Sequence, residues 1–145
     1  MKVIGINGKE YAWNLTSYSV DANDKRKRSK FHVRARKLLK TIYHSYRILE
    51  EVKLPGSTPS HRKGVLYLDF YIPQIMLAIE VHGQQHYKYT PFFHKNKADF
   101  AIAKAKDEDK IEWCELNKID IIVLKYSDTE EQWREQIENG ELAVG

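Results

Sequence analysis

Two short alternating runs of apolar and polar residues, 2–6 and 9–15, open the chain around Asn7-Gly8. That dipeptide favours a tight hairpin because both residues tolerate positive φ. Residues 21–28 are polar and basic and read as a linker, closed by Ser29, a candidate helix N-cap. From Lys30, the apolar positions Phe31, Ala35, Leu38, Leu39, Ile42 and Tyr46 recur at three- and four-residue spacing. This predicts an amphipathic helix with Arg34, Arg36, Lys37 and Lys40 largely on its outer sides. A strand over 48–54 ends at Pro55-Gly56, and 57–64 is a loop. Two β-rich runs, 65–71 and 75–82, joined by Ile72-Pro73-Gln74, predict a hairpin with an apolar body. A long helix over 98–117 follows, with Phe100, Ala103, Ile111, Cys114 and Leu116 facing inward. Residues 119–126 form a short β-branched central strand, and Asp128-Thr129-Glu130-Glu131 caps a last helix. The order is hairpin, helix, three strands, helix, strand, helix. It predicts an α/β fold around a mixed sheet, divided as a hairpin and basic linker (1–28) and an α/β domain (29–145).

Length and composition narrow the function. At 145 residues, 42% apolar and 30% charged, the chain supports a packed core. No apolar run reaches the roughly 20 residues that span a bilayer, and the N-terminus carries no secretory h-region. One cysteine, Cys114, excludes an internal disulfide or a cysteine-rich zinc cluster. The simplest setting is a reducing cytoplasm. The net charge of +4 is unevenly spread, because residues 25–49 hold ten Lys or Arg and no acid. Such a segment on a mildly acidic body suggests a surface for polyphosphate. Lys25, Arg26, Lys27, Arg28, Lys30, Arg34 and Lys37 are its candidate DNA contacts, binding phosphates without reading sequence. Lys88, Lys95 and Lys97, with His94, Phe92 and Phe93, form a candidate opposite lip, and core packing is the competing role for the two phenylalanines.

The stretch 68–87 carries the chemistry. Asp69 and Glu80 lie inside apolar strands, where an unpaired carboxylate is costly. A hairpin centred between Gln74 and Ile75 sets them directly opposite one another, with Cβ atoms about 4.5–5.5 Å apart. Two like charges so close require a cation between them or a shared proton. A hard divalent ion such as magnesium suits two carboxylates with water and phosphate oxygens. His82 falls on the same face as Glu80, and Val81 offers its carbonyl to the metal. Lys110 lies within reach on the long helix, though a solvated face is its simpler role. His82 and His86, with His61 or His94, also allow a zinc hydrolase, but Gly83 and the strand end break the helix that an i, i+4 pair of ligands needs.

At these residues the sequence resembles the PD-(D/E)XK nuclease superfamily, and more narrowly the domains related to very-short-patch-repair and phage homing endonucleases. The resemblance spans about 29–126. It rests on the basic first helix, Leu-Tyr-Leu-Asp-Phe-Tyr-Ile-Pro at 66–73, Ala-Ile-Glu-Val-His-Gly-Gln-Gln-His-Tyr at 78–87, and Glu-Trp-Cys-Glu-Leu-Asn before the strand at 119–126. It implies a restriction-endonuclease-like sheet and hydrolysis of DNA phosphodiesters by water activated on Mg2+ or Mn2+. Asp69 and Glu80 match the acidic metal ligands, and Val81 the backbone-carbonyl ligand. His82 stands in the slot usually held by lysine, while Gln85 and His86 match polar positions near the scissile phosphate. No proline precedes Asp69 and the first helix lacks an acid, so Glu51 or Glu50 is left as a third carboxylate, with Glu51 favoured. The alternative is a catalytically inactive nucleic-acid-binding module of the same fold. The pattern leaves the oligomeric state and the cut site open.

Overall fold

A computed structural model describes residues 1–16, 28–59, 62–91, 94–140 and 142–143. Strands β1 (Lys2–Ile4) and β2 (Glu10–Ala12) pair antiparallel, with Lys2 opposite Ala12. Only Gly8 of the Asn-Gly pair takes a positive φ, at 82°. Asn7 instead accepts the Lys9 N–H through its side chain, so the connection is a longer loop than the two-residue turn expected. Helix α1 (Lys30–Ile42) begins at Ser29, whose hydroxyl accepts the His32 N–H, as its position predicts.

Four strands form the main sheet in the order β3 (Leu49–Leu54), β4 (Leu66–Ile72), β5 (Leu77–His82), β6 (Asp120–Lys125). The first three are antiparallel neighbours, while β6 returns parallel to β5 after helix α2 (Lys97–Leu116). A 3-10 turn at Pro73–Ile75 joins β4 to β5, so β5 starts two residues later than the apolar run suggests. The last helix, α3 (Glu130–Glu138), opens with a capping box between Thr129 and Gln132. The mixed sheet, flanking helices and N-terminal hairpin follow the expected order.

Both faces of the sheet are covered. On one, Ala35, Leu38 and Leu39 of α1 and Trp133 and Ile137 of α3 pack against Phe70, Ile72, Ile79, Ile122 and Leu124. On the other, Trp113 and Cys114 of α2 share a core with Leu68, Tyr71, Ala78 and Ile121, joined by Val3 and Trp13 of the hairpin segment. The Trp13 indole lies 5.1 Å from Trp113 and 4.9 Å from Tyr71, and its N–H donates to the Lys53 carbonyl. Asn117, just past α2, accepts the Ile4 N–H and donates to the Ile4 carbonyl. The hairpin is thereby stapled to the body. Leu116 and Tyr46, expected inside, are 45% and 41% exposed, because each lies where its helix has ended or is fraying.

The cationic outer face of α1 is thinner than its spacing predicts. Arg36 makes two hydrogen bonds of 2.8 Å to the buried Glu50 carboxylate, which also meets His32 Nε2 at 2.6 Å. Arg34 lies over the Trp133 ring at 3.8 Å and donates to the Asp128 carbonyl. Burial alone would raise the Glu50 pKa, but the His32 hydrogen bond and the Arg36 guanidinium pull it down to about 2. A carboxyl lowered on folding stabilises the protein fully above its ordinary 4.5 and loses that contribution as pH falls toward 2. Glu50→Gln should therefore flatten the acid limb of a pH–stability profile measured by denaturant unfolding. At neutral pH it should destabilise by about 3–5 kcal/mol, since it removes the buried charge that His32 and Arg36 both meet.

Candidate functional site

The ladder between β4 and β5 runs from Ile72–Leu77 to Phe70–Ile79 and stops there. Extending that register by one step sets Asp69 opposite Glu80, the alignment expected from the sequence. At that step the side chains take over from the backbone. Glu80 Oε2 accepts the Asp69 N–H at 2.7 Å, and Asp69 Oδ2 accepts the Val81 N–H at 2.8 Å. Each carboxylate satisfies an amide that the parting strands would leave unpaired.

A second irregularity lies beside the first. The β3–β4 pairs Glu50–Phe70 and Val52–Leu68 flank Glu51, opposite Asp69 in the same register. Glu51 has a φ of 50°, in the left-handed region that a non-glycine side chain seldom adopts. Across it the side-chain alternation slips. Leu49 and Val52 both join the α2 side of the core although three residues separate them, and Leu68 and Tyr71 do the same in β4. Both strands turn over where the acids sit. Glu50 is consequently spent on α1, while Glu51 lines an open cavity of about 500 Å³ with Asp69, His86, Lys106, Asp107 and Lys110.

The carboxylates are not left bare. Lys110, from α2, places its Nζ 2.7 Å from Glu80 Oε1. Its expected solvated role is corrected, because its side chain is 17% exposed and bound to a carboxylate that is 2% exposed. The position was legible in outline: Ala103, Asp107, Lys110 and Cys114 follow the period of the inward stripe, which makes two charges part of the buried face. An ammonium thus reaches the acids from α2 while His82 holds the slot on β5. Desolvation pushes the Glu80 pKa up, yet Lys110 and His82 outweigh it and keep Glu80 ionised. Asp69 is raised well above the carboxylate range, first by burial and then by the Glu80 charge. Of the two acids, Asp69 is thus the one pushed toward its protonated form. Burial also lifts the Cys114 thiol to about 12, which removes it as a nucleophile.

After β5 the chain makes a 3-10 turn, Gln84–His86, that stacks the His86 ring on His82 at a centroid distance of 4.0 Å and 9° between planes. No helix is needed to bring the pair together, contrary to the spacing argument. His86 Nδ1 faces Asp107 Oδ2 at 2.8 Å, a partner that the sequence reading missed. Gln85 folds its amide over Gly83, where a Cβ would meet Oε1 at 2.5 Å. Val81 packs its side chain on the α1–α3 side, away from Glu80. His94 accepts the Thr90 N–H and meets Phe100 edge-on, in a separate contact from the His82–His86 stack.

Lys30 and Lys37 are exposed on α1. Arg28, 9% exposed in its side chain, is ion-paired to Glu51, and Arg34 is committed to Trp133. Lys25, Arg26, Lys27, His61, Phe92 and Phe93 lie outside the described residues. Among the described residues no helix is long and apolar enough to cross a membrane.

No family model matches the chain, and no solved structure does. Two viral relatives align with it. Uncharacterized protein 307L of Invertebrate iridescent virus 6 is 40% identical over 76 residues, covering 52% of this chain and 39% of its own length. Uncharacterized protein 033L of Invertebrate iridescent virus 3 is 29% identical over 104 residues, covering 68% of this chain and 50% of its own. The chain therefore spans half or less of the length of these two curated relatives.

Two substitutions test the electrostatics. A carboxyl raised on folding favours the native state at low pH and loses that advantage as pH rises from the ordinary 3.8 toward its folded value. Asp69→Asn keeps an oxygen for the Val81 amide and removes the titration. Its stability relative to the parent should climb with pH across that window, by up to about 1 kcal/mol per unit in urea unfolding. Lys110→Met should cost about 3–5 kcal/mol at pH 7, because Glu80 is then buried beside a second acid without its ammonium.

Proposed function

We propose that the protein is a metal-dependent endonuclease that hydrolyses DNA phosphodiesters with Mg2+ or Mn2+. The observation that carries this reading is the facing of Asp69 and Glu80 where β4 and β5 part, beside an open cavity that Glu51 also lines. The donor set fits a hard divalent ion. Oxygen ligands come from adjacent strands, and the pair already holds an ammonium, the positive partner such an ion would replace. Asp69, Glu80 and the Val81 carbonyl would hold the metal, with Glu51 as a third acid once it leaves Arg28. When bound, the ion supplies an activated water and offsets charge developing at phosphorus.

The remaining work falls to the chain's own groups. Asp107 fixes the His86 ring through Nδ1, which leaves Nε2 to take or give a proton at the cavity. Lys106 and Lys110 line the same cavity and offer charge to a phosphate. His82 stacks on His86 and keeps its plane, and Gln85 closes the turn over Gly83. Lys30 and Lys37, with the basic residues 25–27, would draw a duplex to the surface in a salt-dependent way. A restriction-endonuclease-like identity of the sheet belongs to the same proposal. The iridescent virus relatives favour a virus-infected host cell over a bacterial or phage setting.

One observation favours the second reading, an inactive DNA-binding module of the same fold. Both Glu80 oxygens are already occupied, by the Asp69 amide and by Lys110, so the acids are neutralised with no ion. The test is incubation of the purified protein with supercoiled, linear, branched and mismatched DNA, in magnesium and in chelator. Cleavage should need the metal and fall at least about a thousandfold in Asp69→Asn and Glu80→Gln while DNA binding persists. Binding with no cleavage of any substrate would leave the inactive module. Absence of both would end the nucleic-acid reading.

A further inference from the structure

Among the described residues, Nε2 of the buried His82 imidazole has no hydrogen-bond partner. Its side chain is 9% exposed, and Nε2 is shielded from solvent without a hydrogen-bond partner. A histidine nitrogen in that condition is costly. Two carboxylate oxygens surround it: Glu80 Oε1 at 3.7 Å and Asp107 Oδ1 at 4.0 Å. Both gaps are too long for hydrogen bonds. They match instead the separation of two ligands on one ion, since metal–nitrogen and metal–oxygen bonds of about 2.0–2.2 Å leave donor atoms roughly 3–4 Å apart.

We propose that His82, His86 and Asp107, whose ligand atoms all lie within 4.8 Å of one another, form a site for a borderline divalent transition ion, Zn2+, Co2+ or Mn2+, beside Glu80, whose Oε1 Lys110 already holds. The mixed nitrogen–oxygen donor set selects such ions over magnesium, which takes oxygen and water. His86 Nδ1 lies 2.8 Å from Asp107 Oδ2, while the other carboxylate oxygen, Oδ1, lies 4.0 Å from His82 Nε2, so one carboxylate stands between the two imidazoles. The site does not depend on the nuclease reading, because its donors and its unsatisfied nitrogen exist whether or not DNA is cut.

The test is titration of the metal-free protein with Co2+, read by visible absorption, and with Zn2+, read by calorimetry, at pH 7 in excess magnesium. One equivalent should bind and give ligand-field bands that Zn2+ bleaches. Asp107→Asn, His82→Gln and His86→Gln should each weaken binding by about tenfold or more, while His44→Gln, in the exposed turn after α1, leaves it unchanged. Thermal melts identify any variant that fails to fold, and Asp107→Asn then stands in for His82→Gln. No bands in the parent protein would overturn the proposal and leave the nitrogen to a buried water. Binding unaltered by Asp107→Asn and His82→Gln would overturn it equally by placing the ion elsewhere. Loss of DNA cleavage bears on the nuclease reading alone, and a protein that cuts nothing yet gives the spectrum keeps this site.

Discussion

An ammonium from α2 meets two carboxylates from β4 and β5 in a place where water is largely absent, and much else is arranged around that meeting. The sheet can part at Asp69 because the acids adopt the amides that the ladder abandons. The acids can be buried because Lys110 offsets the Glu80 charge and Asp69 is pushed toward its neutral form. The cation in turn keeps its charge at depth because the acids hold its pKa up against burial. Removing any member strands another. Such interdependence is expected of polar groups in a low-dielectric interior, where a completed network is tolerable and a partial one is not.

A second charged network does comparable work on the opposite side of the sheet. Glu50, next in the chain to Glu51, ties β3 to α1 through His32 and Arg36. Neighbouring acids thus serve different masters, and the left-handed backbone at Glu51 is what separates them. Several arginines of the most basic segment are drawn inward in the process. They act as long, partly apolar arms that cover Trp133 or reach Glu50, with their charge spent inside the molecule. Lysines, with compact and strongly hydrated heads, are the ones left outside.

Element order and type were legible because each signal was local: three- and four-residue spacing in α1, β-branched runs in β5 and β6, a capping pattern before α3. The opposition of Asp69 and Glu80 was also legible, because the hairpin register follows from the turn between them. What escaped was whatever depends on one element's approach to another. Lys110 read as a solvated charge and Asp107 went unnoticed until α2 is laid across β5, although their spacing in line with Ala103 and Cys114 hinted at it. Arg36 looked external until Glu50 was seen beneath it. The slip at Glu51 has no composition signature, since the residue is an ordinary glutamate in a backbone that suits glycine. Trp113, the largest buried side chain of α2, was passed over for Leu116, one turn too far along.

The Asn117–Ile4 clasp joins residues 113 positions apart. The β1–β2 segment is made before its docking surface of Lys53, Tyr71, Trp113 and Asn117, which is complete only once Asn117 has been added. Until then Val3 and Trp13 have nowhere to go. The helix that carries Lys110 and Asp107 is clamped at its far end by this same late-closing join. The chemistry-bearing face consequently gains this support only after β1 and β2 have docked on α2.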